Sequence, residues 1–139
     1  MICLVLGVMG LLASCAKDNS NNPGYLSANI SGSDWTANSI YDGSDTTGYT
    51  SVEADNDDGS LFWLSFPTGA GGSYGVSSSD NCSIEYVDPQ GNSYSVQGGS
   101  LSINSLLFGG ISGSFQGVAL NDADCQDQLS ISGSFNVNS

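Results

Sequence analysis

Four acids crowd the stretch EADNDD at positions 53–58, which runs straight into Gly59. Hard carboxylate oxygens packed into one short loop are what Ca²⁺ selects, so Glu53, Asp55, Asp57 and Asp58 make a candidate calcium site. The spacing is not that of an EF-hand. With Gly59 in the glycine position, the first ligand position falls on Ala54. Asp42 and Asp45 in YDGSD, and Asp122, Asp124 and Asp127 in NDADCQD, form similar oxygen-rich loops. Solvated turns have the same composition, because Asp and Asn hydrogen-bond to their own backbone. Calcium binding and plain turn chemistry both stay open.

Two further patterns bear on carbohydrate chemistry. Glu53 and Glu85 are each flanked by apolar strand residues, and a pair of carboxylates can hydrolyse a glycosidic bond. Two outward-facing acids on alternating strands account for them more simply, so the chain is read as non-enzymatic, with no catalytic residue assigned. Phe62 and Trp63 are consecutive, so in a strand one faces the core and the other faces out. An outward Trp63 would offer a flat platform for a sugar ring or a partner protein.

The missing residue types exclude more than the present ones admit. Histidine and arginine are absent, and Lys17 is the single cation against 14 carboxylates, a net charge of −13. Without His there is no Ser-His-Asp or Cys-His machinery and no histidine general base. Without Arg there is no bidentate clamp for phosphate or carboxylate. Nucleic acid is repelled, since its binding depends on Lys and Arg displacing counterions. The Gly-rich GAGG at 69–72 has neither P-loop nor dinucleotide spacing.

The elements that would position these residues begin after an unusual leader. The apolar run at 2–12 is 11 residues long, too short to span a bilayer, which takes about 20, and of the length of a signal-peptide core. Small residues precede Cys15. Leu12-Ala13-Ser14-Cys15 resembles the bacterial lipobox, which implies acylation of the Cys15 sulfur and cleavage before it. No Lys or Arg precedes the run, which points to a start codon placed too late. The expected organisation is a signal peptide at 1–14, a lipidated Cys15 with a polar tether through 24, and one domain at 25–139. Two or more acyl chains anchor stably where one does not. Lys17-Asp18 partly resembles a surface-export signal, so the expected location is the outer membrane, on its periplasmic face or at the cell surface. With Cys3 removed and Cys15 lipidated, Cys82 and Cys125 remain, and two cysteines of an exported protein usually pair as a disulfide. Two separate buried thiols are the alternative.

From residue 25 on, short alternating runs are broken by Gly, Ser, Asn and Asp, with no helical period. Strands are expected at 25–30, from 35, at 49–54, 61–66, 73–76, 83–87, 93–96, from 101, at 108–120 and at 129–137. DNDDG and DPQGN read as hairpin loops. Ile-Ser-Gly-Ser-Phe occurs at 111–115 and again at 131–135, as a hairpin of similar strands. In the second copy Leu129, Ile131, Phe135 and Val137 share one face, with Ser130, Ser132, Ser134 and Asn136 on the other. Eight to ten short strands predict an all-β antiparallel sandwich.

The lipobox, ANISGSDWTANS, GGSY, DPQGNSY and the two ISGSF strands together look like a family of small Bacteroidota-type lipoproteins. Gly32, Trp35 and Ala37 match its G-x-x-W-x-A pattern, and Gly113-Ser114-Phe115 and Gly133-Ser134-Phe135 match its G-x-F strands. The resemblance implies a β-sandwich and carries no established activity. The expected function is a lipid-anchored, non-enzymatic binding or structural module. Its expected partners are the membrane and a glycan or another envelope protein. A Ca²⁺-assisted glycan-binding surface lipoprotein is the alternative, and a carboxylate-dependent glycoside hydrolase a further one.

Overall fold

The computed structural model describes residues 24–44, 47–69, 71–77, 81–105 and 110–137. The expected signal peptide, Cys15, the tether through 23 and Asp45 lie outside the described residues. The ten strands are β1 (Gly24–Ile30), β2 (Ser33–Thr36), β3 (Ser39–Ser44), β4 (Tyr49–Asp55), β5 (Leu61–Pro67), β6 (Gly72–Val76), β7 (Ser83–Val87), β8 (Ser93–Ser105), β9 (Ile111–Asn121) and β10 (Gln128–Val137). All pairings are antiparallel, in one sheet of order β2-β1-β10-β9-β8-β7-β5-β4-β3, with β6 pairing β8 off this path. The all-β expectation holds.

The two outermost strands of that path, β2 and β3, are consecutive in the chain and joined by Ala37 and Asn38 alone. The ends of the sheet are therefore held side by side. Ala37 N–H donates to Leu26 O of β1 at 3.0 Å, and Asn38 N–H to Asp55 O of β4 at 2.7 Å. Successive residues thus bond to opposite halves, and the sheet curls over onto itself. Phe62 of β5 meets Trp35 of β2 edge-on at 4.9 Å and Phe115 of β9 at 5.6 Å, while Phe66 stacks on Phe135 of β10 at 6.4 Å. These rings join β2, β9 and β10 on one side to β5 on the other. Burying each such side chain contributes about 1.5–3 kcal/mol.

The repeated ISGSF has a packing reason. Across the β9–β10 hairpin Gly113 lies opposite Phe135 and Phe115 opposite Gly133, so each ring covers the other strand's glycine. A Cβ on Gly133 would sit 2.6 Å from Phe115 Cζ and 2.6 Å from Ser27 O. Only glycine leaves the ring that room. The same pairing keeps Ser114 opposite Ser134 on the outer face.

Two segments expected as separate strands, 93–96 and from 101, are one 13-residue strand, β8. A register shift between Val96 and Gly98 bends it, so that its first part pairs β7 and its second part pairs β6. The run from Trp35 splits the other way, into β2 and β3, at the Ala37–Asn38 junction. β1 starts at Gly24, one residue ahead of the expected boundary.

Candidate functional site

The alternation of β5 decides where Trp63 goes. Phe62, Leu64 and Phe66 are buried, and Trp63 is 40 % exposed. Trp63 therefore faces out, as its neighbour's place in the core requires. Strand register then sets it between two acids: Glu53 of β4 lies opposite on one side and Glu85 of β7 on the other. Tyr41 of β3, also 40 % exposed, extends the row beyond Glu53. Tyr41, Glu53, Trp63 and Glu85 thus form one cross-strand rung on the outer surface. With strands about 4.8 Å apart, Glu53 and Glu85 stand roughly 9.6 Å apart at the backbone.

Both carboxyls are half-buried beside the indole. Burial, aided by the charge of Asp55, pushes Glu53 up to about 7. Burial and then the charge of Asp122 push Glu85 up as well. Near neutral pH the Glu53 carboxyl is balanced between donating and accepting a hydrogen bond. An aromatic face between two such groups can stack on the C–H face of a sugar while the carboxyls bond to its hydroxyls. Two acids flanking a site are also the equipment of a glycosidase. These groups stand on an open sheet face, however, where water reaches them and charge stabilisation is weak.

The acids expected to gather around calcium are divided by the strand geometry. Glu53 and Asp55 lie along β4, whereas Asp57 and Asp58 sit in the β4–β5 turn. Among the described residues, no three His, Cys, Asp or Glu side chains converge as metal ligands. The turn's polar atoms form a clasp. Asp58 accepts from the Ser60 N–H at 2.8 Å and from the Ser60 hydroxyl, which hold its carboxyl below the usual range. The buried Ser60 oxygen in turn accepts from Trp35 Nε1 at 2.7 Å. Asn56 Nδ2 donates to Thr36 O, and Asp57 N–H donates to Asn38 Oδ1. The turn is thereby stapled to the β2–β3 junction. In the β9–β10 loop, Asp127 accepts from the Tyr94 hydroxyl and from Asn121, Asp122 from Ser95, and Asp124 from the Gln126 N–H.

The expected Cys82–Cys125 disulfide is corrected by the register. Cys82 is buried just before β7, and Cys125 is exposed in the β9–β10 loop. Val87 pairs with Ser93, and Tyr94 with Asn121, so that loop hangs off the far end of β7. Five residue steps, about 17 Å, separate that end from Cys82. Bridged cysteines need Cα atoms within roughly 7 Å. No disulfide joins the two.

A second surface was not legible in single strands. On the half made of β2, β1, β10, β9, β8 and β6, register aligns Thr36, Ser27, Ser134, Ser114, Ser102 and Ser73 side by side. The next row is Asp34, Asn29, Ser132, Gln116 and Ser100. Between them lies an open depression of about 850 Å³, and a further one of about 570 Å³ adjoins it through Asn29, Ser100, Gln116 and Ser132. Alternating serines are visible within β10, but their alignment across six strands appears only once the pairing is known.

No family model, curated protein or solved structure matches this chain.

Proposed function

We propose that this protein is a lipid-anchored, non-enzymatic binding module of the cell envelope that recognises a neutral glycan through the Trp63 face. The observation that carries this reading is the outward indole of Trp63 held between Glu53 and Glu85. A chain with a net charge of −13 and acids on both sides of its aromatic platform disfavours anionic ligands. A polyhydroxylated neutral ligand meets no such repulsion and finds both a stacking surface and hydrogen-bond acceptors. The anchor rests on the Leu12-Ala13-Ser14-Cys15 motif, which supports an outer-membrane lipoprotein facing the periplasm or the outside. Mass spectrometry of the natively expressed protein should find an acylated amino-terminal Cys15; an intact leader would remove the envelope assignment. For the binding face, the emission of Trp63 should change on titration with a soluble neutral polysaccharide, and Trp63→Ala should weaken binding at least tenfold. A titration that is flat for neutral glucan, xylan and mannan alike rejects the glycan.

A further inference from the structure

We infer that the hydroxyl- and amide-rich depression across β2, β1, β10, β9 and β8 is a second, extended contact for a neutral polysaccharide chain. The inference takes its ligand class from the Trp63 reading and its site from a separate set of residues.

Its lining is unusual for this molecule. The chain carries 14 carboxylates, yet among the described residues Asp34 is the one titratable group lining either depression. Asp34 is moreover engaged, accepting from Asn29 Nδ2 at 3.2 Å. The remaining polar groups are hydroxyls and amides, each of which both donates and accepts. Apart from Asp34 such a surface has no charge with which to select an ion, and it offers no continuous apolar patch for a helix. It is complementary to a partner that also presents neutral hydroxyls in regular succession.

The geometry adds length. Within the depression the hydroxyl row runs from Thr36 to Ser102 across five strands, so its four gaps extend for about 19 Å at roughly 4.8 Å each. A second row runs parallel to it, two residues along each strand, about 6.8 Å away. A linear polymer lying across β1, β10, β9 and β8 would meet a hydroxyl or amide at each of these strands on both of its edges, with Asp34 and Thr36 facing it on β2. A monosaccharide would use only a fraction of that row. The expected occupant is therefore a chain of several sugars, and affinity should rise with chain length until the row is filled.

The rows are held firmly by the packing beneath them. Ser114 and Ser134 are flanked by the interlocked Phe115–Gly133 and Gly113–Phe135 pairs, so the β9–β10 register cannot slip without burying serines and exposing rings. A preorganised row loses little further freedom on binding.

Affinity electrophoresis of the full mature chain in gels containing soluble neutral glucan, xylan or mannan tests the inference, with polygalacturonate as the anionic comparison. At least one neutral polymer should retard the protein, and polygalacturonate should not. Gln116→Ala and Ser132→Ala lie on the exposed face, and each should weaken retardation about fivefold, the loss of roughly one hydrogen bond. Trp63→Ala should leave a residual retardation. An unchanged melting temperature shows that a variant is folded, and Ser114→Ala replaces either one that is not. Retardation abolished by Trp63→Ala, with Gln116→Ala and Ser132→Ala behaving as wild type, overturns the groove while leaving the Trp63 platform standing. Equal retardation by polygalacturonate, or a dimer that Gln116→Ala disperses, overturns it too. If no neutral polymer retards the protein, both sites fall together.

Discussion

The two halves of the curled sheet share a core and differ on their outer faces. On the β3-β4-β5-β7 half, the row Tyr41, Glu53, Trp63 and Glu85 combines aromatic rings with half-buried acids. On the β2-β1-β10-β9-β8 half, serines, amides and one aspartate replace them. Inner packing follows the same division. The first half fills its inside with large residues such as Phe62, Leu64 and Phe66, whereas the second alternates rings with glycines at Gly113, Phe115, Gly133 and Phe135. The difference teaches that an alternating strand can vary its outer chemistry freely, provided that its inward positions satisfy the opposite layer.

The largest expected effect is a break in the second half. Gly133→Val places side-chain atoms where Phe115 Cζ and Ser27 O already stand. It should cost at least about 3 kcal/mol, as overpacking and forced backbone movement do at the upper end of their range. Urea unfolding of Gly133→Val beside Trp63→Ala makes the contrast direct, because the exposed Trp63 position should move stability by no more than about 1 kcal/mol. Comparable losses from both would mean that Trp63 is a packing residue and not a presented one.

Next comes the clasp that joins the halves. Ser60→Ala leaves the buried Trp35 N–H without its acceptor and removes a donor from Asp58. The expected loss is about 1–3 kcal/mol. A melting temperature equal to that of the wild type would show that the turn does not hold the β2–β3 junction.

A smaller effect separates the halves by pH. Glu53 binds its proton more tightly in the folded protein than in the unfolded chain, from an ordinary 4.5 up to about 7. The folded state therefore holds more protons between those values, and its stability should fall as pH rises from about 4.5 to 7. Glu53→Gln should flatten that slope. Because Glu53 is only half-buried, solvent limits the size of the change. A slope unchanged in Glu53→Gln would locate the titrating group elsewhere.

The smallest effect concerns the cysteines. Cys125→Ser should alter stability by less than about 0.5 kcal/mol, and a reductant should leave the melting temperature of the mature chain unmoved. A fall of several degrees in reductant would restore the disulfide.

Much of the fold could be read from the sequence because the strands are half-buried and keep a strict period of two. Leu129, Ile131, Phe135 and Val137 announce the inner face of β10, and Phe62 beside Trp63 announces one ring in and one out. The limits were physical. The stretch from Gln97 to Ser100 reads as a break between strands, but β8 runs through it: Gln97 is the extra residue at the register shift, and Gly99 permits the close approach to β9. Composition pairs the two cysteines because it contains no register, and register places the thiols at opposite ends of β7. The acids of EADNDDG are neighbours in sequence and occupy two kinds of local structure. Glu53 and Asp55 share the outer face of β4, whereas Asp57 and Asp58 belong to the turn and its hydrogen bonds. The hydroxyl row depends on residues as distant in sequence as Ser27 and Ser134, so only strand pairing could assemble it.

The protein's two tryptophans provide an internal comparison for the central claim, since Trp63 faces out and Trp35 is buried with its N–H bonded to Ser60. In a ¹⁵N-labelled sample titrated with a soluble neutral polysaccharide, the indole N–H signal of Trp63 should shift progressively and saturate, while that of Trp35 stays in place. A Trp63 signal that never moves, in a titration where the protein demonstrably binds the polymer, would contradict the account.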